Sequence, residues 1–118
     1  MGVQKFEDLI AWQKAQELAV LIYSLFDSNR DFAFRDQIRR AAVSISNNIA
    51  EGFDRSSNAD FIRFLYFSIG SASELKSMLY LSKRLSYINS SEFDQSIEKT
   101  NEVSKIIRGL INSLKPKP

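Results

Sequence analysis

Neither cysteine nor histidine occurs in this 118-residue chain. Without cysteine there is no disulfide framework and no thiolate metal site. Without histidine the commonest general base and metal ligand is gone as well. No apolar run approaches the roughly 20 residues needed to cross a bilayer. The opening Met-Gly-Val-Gln-Lys-Phe-Glu-Asp lacks the apolar core of a signal peptide, so a cytoplasmic protein with no membrane partner is expected. Both prolines stand in the terminal Lys115-Pro-Lys-Pro, which ends the last helix as a tail over 115–118. Charge of one sign is also scarce: the formal net charge is only +2, which permits nucleic-acid contact without requiring it. No strand pattern, internal repeat or low-complexity block breaks the chain, and 1–118 reads as one domain.

What is present is helical periodicity. Between Gln37 and Gly52, Ile38, Ala42, Ile45 and Ile49 recur at spacings of one helical face. Gln37, Ser44, Asn48 and Glu51 form a polar line on one flank, Val43 and Ala50 lie on the other beside Arg39, and Arg40 and Asn47 point outward. Gly52 stands where a helix-terminating glycine is expected. Three further helices follow from the same reasoning, giving helices at about 7–27, 32–51, 58–86 and 90–114. Their core stripes run through Ala11, Ala15, Leu18, Ile22 and Leu25 in the first helix. In the third they take Phe61, Leu65, Ser68, Ala72, Leu75 and Leu79, and in the fourth Phe93, Ile97, Val103, Ile107, Ile111 and Leu114. Asp31, Ser57 and Asn89 are the expected N-caps, with Ser57–Asp60 and Asn89–Glu92 spaced as capping boxes. The small residues around Gly70 point to a close helix–helix approach. Short connectors between four such helices imply an all-α, antiparallel, up-down-up-down four-helix bundle.

Some of this apolar surface exceeds what a monomer needs. The first helix has a spare line through Trp12, Ala19, Tyr23 and Phe26. The third has one through Ile62, Tyr66, Ile69 and Tyr80, with Phe67, Met78 and Leu85 on its opposite flank, and the second adds Val43. Trp12, Tyr23, Val43, Ile62, Tyr66, Ile69 and Tyr80 are therefore expected at a subunit interface of a homo-oligomer.

Several segments together resemble a known family. They are Gln37-Ile-Arg-Arg-Ala, Ser44-Ile, Asn48-Ile-Ala-Glu-Gly, Phe61-Ile-Arg-Phe-Leu-Tyr, and Gly70-Ser with Glu74-Leu. In this order and spacing they are similar to the small four-helix proteins encoded in 23S rRNA intervening sequences. Those are related to accessory proteins of diversity-generating retroelements. Where the family usually reads Ser-Ile-Pro-Ser-Asn, this chain has Ser46 and Asn47. Where it often reads Ala-Arg-Gly-Ser, Ser68 and Ile69 precede Gly70, which removes a basic residue. The resemblance implies a closed ring, typically a pentamer, and no known enzymatic reaction.

Two candidate sites follow. Arg35, Arg39, Arg40, Arg55 and Arg63 are a possible phosphate-contacting patch, with a solvated, salt-bridged face as the alternative. Gln37, Ser44, Asn48, Glu51 and Glu74 could form a carboxylate site. The favoured reading is a hydrogen-bonded polar seam between the second and third helices, because bundle metal sites pair glutamate with histidine. No cofactor is expected. Ser44, Ser46 and Ser71 lack the base a nucleophile needs. The function expected is a non-enzymatic oligomeric module that engages RNA, DNA or a nucleic-acid-processing protein. The alternative is a purely structural or protein-binding oligomer.

Overall fold

The computed structural model describes residues 2–117; Met1 and Pro118, the latter the end of the expected 115–118 tail, lie outside the described residues. Helix α1 spans Ile10–Leu25, α2 Phe32–Phe53, α3 Asn58–Arg84 and α4 Ser90–Leu114. Each packs on its neighbours in the cycle α1–α2–α3–α4–α1. Among the described residues the backbones of the diagonal pairs α1–α3 and α2–α4 do not come within 8 Å, Cα to Cα. The molecule is correspondingly long and narrow, 47 × 23 × 19 Å. Its axis holds one continuous core, with Leu18, Ile22, Ile38, Ile45, Ile49, Leu65, Leu75, Leu79 and Ile107 fully buried.

The caps show why the helices begin where they do. Asp31 accepts from the Phe34 amide at 3.2 Å, and Asn89 and Glu92 satisfy each other's backbone amides in a complete capping box. Ser57 accepts from the Asp60 amide at 3.1 Å, but the reciprocal half is missing. The Asp60 carboxylate instead meets Arg63 Nε at 3.2 Å. Aspartate is one methylene shorter than the glutamate that normally reaches back.

Four expectations are corrected. Helix 1 starts at Ile10, because Phe6–Asp8 forms a separate 3-10 turn that sets Phe6 edge-on against Trp12 at 5.4 Å. At its other end the helix stops at Leu25, before the turn-forming run Asp27-Ser28-Asn29. Helix 2 runs through Gly52 to Phe53, so Gly52 is no terminator; it is buried, and a Cβ there would lie 2.5 Å from Phe64 Cβ. This is the close approach of α2 and α3. Gly70 itself faces open space, with nothing within 4 Å of a Cβ placed on it, while its small neighbours Ser68 and Ser71 make the expected close approach, reaching Ile45 O and Ser44 Oγ of α2 at 2.8 and 3.0 Å.

Helix 3 ends at Arg84 rather than Ser86. Ser86 has φ 62°, the Tyr87 amide bonds Ser82 O at 2.8 Å and the Ser86 amide bonds Lys83 O at 3.0 Å. These are the two bonds of a Schellman stop, with serine where glycine usually stands.

Candidate nucleic-acid interface

α2 fixes the geometry of the candidate site. Its buried stripe turns Arg40 and Asn47 outward, with Ser44 and Asn48 half-buried on one side and Arg39 and Val43 on the other. A shallow trough of about 650 Å³ runs over this face, bordered by Tyr23 of α1 and by Arg39, Arg40, Asn47, Asn48 and Glu51. A smaller hollow of about 330 Å³ lies towards α3, lined by Gln37, Arg40, Ala41, Ser44 and Glu74. Arg40 borders both.

The five arginines do not form one patch. α2 has 22 residues and is therefore about 33 Å long. Arg35, Arg39 and Arg40 lie in its first half, whereas Arg55 and Arg63 flank the turn beyond its far end. Most are already engaged. Arg39 stacks on the Tyr23 ring at 4.4 Å, donates to Tyr23 O at 3.1 Å and lies 3.9 Å from Asp27. It ties α1 to α2. Arg35 stacks on Phe32 at 4.7 Å and lies 3.9 Å from Asp36. Both bury an Nε–H that has no partner, a cost that their stacking and ion pairs must offset.

At the far end Arg55 pairs with Glu51 at 3.2 Å and Arg63 with Asp60 at 3.2 Å. Their guanidinium groups lie 4.6 and 5.1 Å from the Phe64 ring. Arg40 differs from all four. It is exposed, and among the described residues no ion pair or hydrogen bond involves it.

The polar line is brought together only in part. Asn48 Nδ2 donates to Ser44 O at 2.9 Å and to Ser44 Oγ at 3.1 Å, and Ser71 of α3 shares a hydrogen bond with Ser44 at 3.0 Å. Glu51 turns along its own helix to Arg55. Gln37 and Glu74 border the hollow without hydrogen bonds among the described residues. Two serines outside that line also link helices. Ser68 Oγ donates to Ile45 O at 2.8 Å, and Gln16 Nε2 donates to Ser46 Oγ at 2.9 Å. Their signal in the sequence was a hydroxyl on or beside a core stripe, where it must find a partner on the adjoining helix: a carbonyl for Ser68, an amide donor for Ser46. Among the described residues no group of histidine, cysteine, aspartate and glutamate side chains is placed to hold a metal, and no helix is long and apolar enough to cross a membrane.

The residues expected at a subunit interface separate by exposure. Tyr66 and Tyr80 remain open, at 47% and 52%, and Tyr23 is open beneath Arg39. Trp12, Val43 and Ile62 are half-buried. Ile69 lies in the chain's own core, as do Ala19, Phe26 and Met78. Two neighbouring helices cover a wider arc of each surface than one stripe. Phe67 and Leu81 are exposed on α3 as well, and Leu85 just beyond its end.

A profile of the 23S rRNA-intervening sequence protein matches residues 7–109. The chain belongs to this family. A crystal structure, described as a protein of unknown function from the S23 ribosomal protein family of Bacteroides thetaiotaomicron, superposes with a TM-score of 0.81. It is 29% identical, and the match covers 86% of this chain and 98% of that one. No functionally curated protein matches. The fold is thus shared with that structure over most of the chain.

Proposed function

We propose that this family member is a non-enzymatic, cytoplasmic, homo-oligomeric bundle whose α2 face contacts RNA or DNA, directly or beside a protein that processes one. The observation that carries this reading is Arg40: an exposed guanidinium standing between two concavities lined by amides, hydroxyls, Tyr23 and the carboxylates of Asp36, Glu51 and Glu74, none of which pairs with it. Such a group gains a phosphate contact without giving up an internal one, and its five donors suit bidentate capture. The family's association with 23S rRNA intervening sequences supports a nucleic acid as the partner. Closed symmetry is the usual outcome for identical chains, the family resemblance favours five copies, and Phe67, Tyr80 and Leu81, open on α3, supply surface for assembly.

Arg40→Glu should abolish binding of labelled RNA or DNA in a salt series while leaving helix content and assembly unchanged. Undiminished binding would eliminate the α2 face as the contact surface. Light scattering on the same sample tests the assembly: a mass near 13.5 kDa at micromolar concentration would refute it. A second reading, a protein-binding oligomer without nucleic-acid affinity, is favoured by Tyr66, Phe67, Tyr80 and Leu81, all exposed on α3. No wild-type binding even at low salt would select it.

A further inference from the structure

The chain's acid-free basic surface lies elsewhere, on α4. The first half of this helix carries Glu92, Asp94, Glu98 and Glu102 against Lys99. After Glu102 the sequence contains Lys105, Arg108, Lys115 and Lys117 and no acid at all. Among the described residues none of those four cations takes part in an ion pair. The helix dipole accounts for Lys115, the C-cap residue of α4, but not for Lys105 and Arg108, which stand before the last turn, where the dipole's influence has faded.

Arg108, Asn112 and Lys115 share one stripe. Two turns, about 10.5 Å, separate the cations along the axis, with the amide between them. They wall a hollow of about 240 Å³ completed by Tyr66 of α3, whose ring is 47% exposed.

We infer that this hollow is a second nucleic-acid contact, for a single strand whose backbone follows Arg108 and Lys115 and one of whose bases stacks on Tyr66. The inference rests on the reading of the protein as a nucleic-acid module and adds a strand type and a place. A single strand is favoured because a free aromatic face needs an unstacked base to receive. A lipid surface is disfavoured because Ile111 and Leu114, the apolar side chains at this end of α4, are buried in the core and cannot insert. α4 and α2 lie diagonally across the bundle, so Arg40 and the α4 cations are carried by helices that do not adjoin.

Anisotropy of labelled oligo(U) across a salt series tests this. Arg108→Glu with Lys115→Glu should weaken binding and flatten the log–log salt slope by about 1.4, two phosphates at roughly 0.7 each. The neutral pair Arg108→Gln with Lys115→Gln should flatten it in the same direction. Tyr66→Ala should cost about tenfold in affinity with the slope unchanged, and Tyr66→Phe should restore it. If both charge pairs bind like wild type while Arg40→Glu loses binding, the α4 contact is refuted and the α2 reading stands. Failure of the wild type to bind either oligo(U) or duplex at low salt overturns both. Binding to phosphatidylserine vesicles in place of oligo(U) would give the hollow to a membrane and overturn the inference.

Discussion

Gly52→Ala isolates the close approach of α2 and α3 at Phe64. The glycine is helical and has no positive φ, so alanine is acceptable to the backbone and the question is one of space. The new methyl would lie 2.5 Å from Phe64 Cβ and 3.1 Å from Phe61 Cδ1. Phe64 Cβ sits at the root of its side chain and cannot rotate away, so α2 and α3 must separate at this end. Overpacking of this kind costs about 1–3 kcal/mol, against a helix-propensity gain of at most about 1 kcal/mol. Gly109→Ala is the matched control: it is also helical, and nothing lies within 4 Å of a Cβ built there, so only the gain remains. The gap between the two variants is then the steric cost, about 1–3 kcal/mol, or roughly 4–12 °C in thermal midpoint at about 4 °C per kcal/mol. Thermal unfolding followed by circular dichroism reads it directly. If Gly52→Ala raises the midpoint as much as Gly109→Ala, the close approach of α2 and α3 is wrong.

Other expectations follow from single contacts. Leu75→Ala, at a fully buried position, should cost about 2–5 kcal/mol in urea unfolding; a loss below roughly 0.5 kcal/mol would displace the α3 core stripe. Ser86→Gly should stabilise by about 1 kcal/mol, because serine bears the left-handed strain that glycine does not, and a loss would mean that the serine hydroxyl matters more than its backbone. The hydrogen bond from Tyr87 to Asp31, 2.7 Å long, raises the Tyr87 pKa above 10.0, with burial and the nearby carboxylate charge adding to it. The neutral phenol is therefore favoured in the folded state. Its contribution is complete below pH 10, is lost as pH rises through the raised value, and should vanish from the alkaline stability profile of Tyr87→Phe.

Much of the fold was legible because each helix states its buried face in its period. Asp31 and Asn89 could be read as caps because the cap is a local event within four residues. What was hidden depends on a second element. Gly52 reads as a terminator until Phe64 is brought against it. Ile69 and Phe26 read as spare surface until a second neighbouring helix widens the buried arc. The arginines read as one patch because a helical projection shows angle and not height, and height is what divides Arg39 and Arg40 from Arg55 and Arg63. The freedom of Arg40 and the engagement of Arg39 differ by one helical position, which sequence periodicity places only to within a flank.

The buried polar residues are Ser46, Ser68, Ser82, Ser96 and Thr100, all hydroxyls and several bonded to helix carbonyls. With histidine absent from the chain and hydroxyls the buried polar side chains among the described residues, the described interior holds no side chain whose ordinary pKa lies between about pH 5 and 8. A complex that loosens or tightens in that window would be reporting a group at its surface or in its partner.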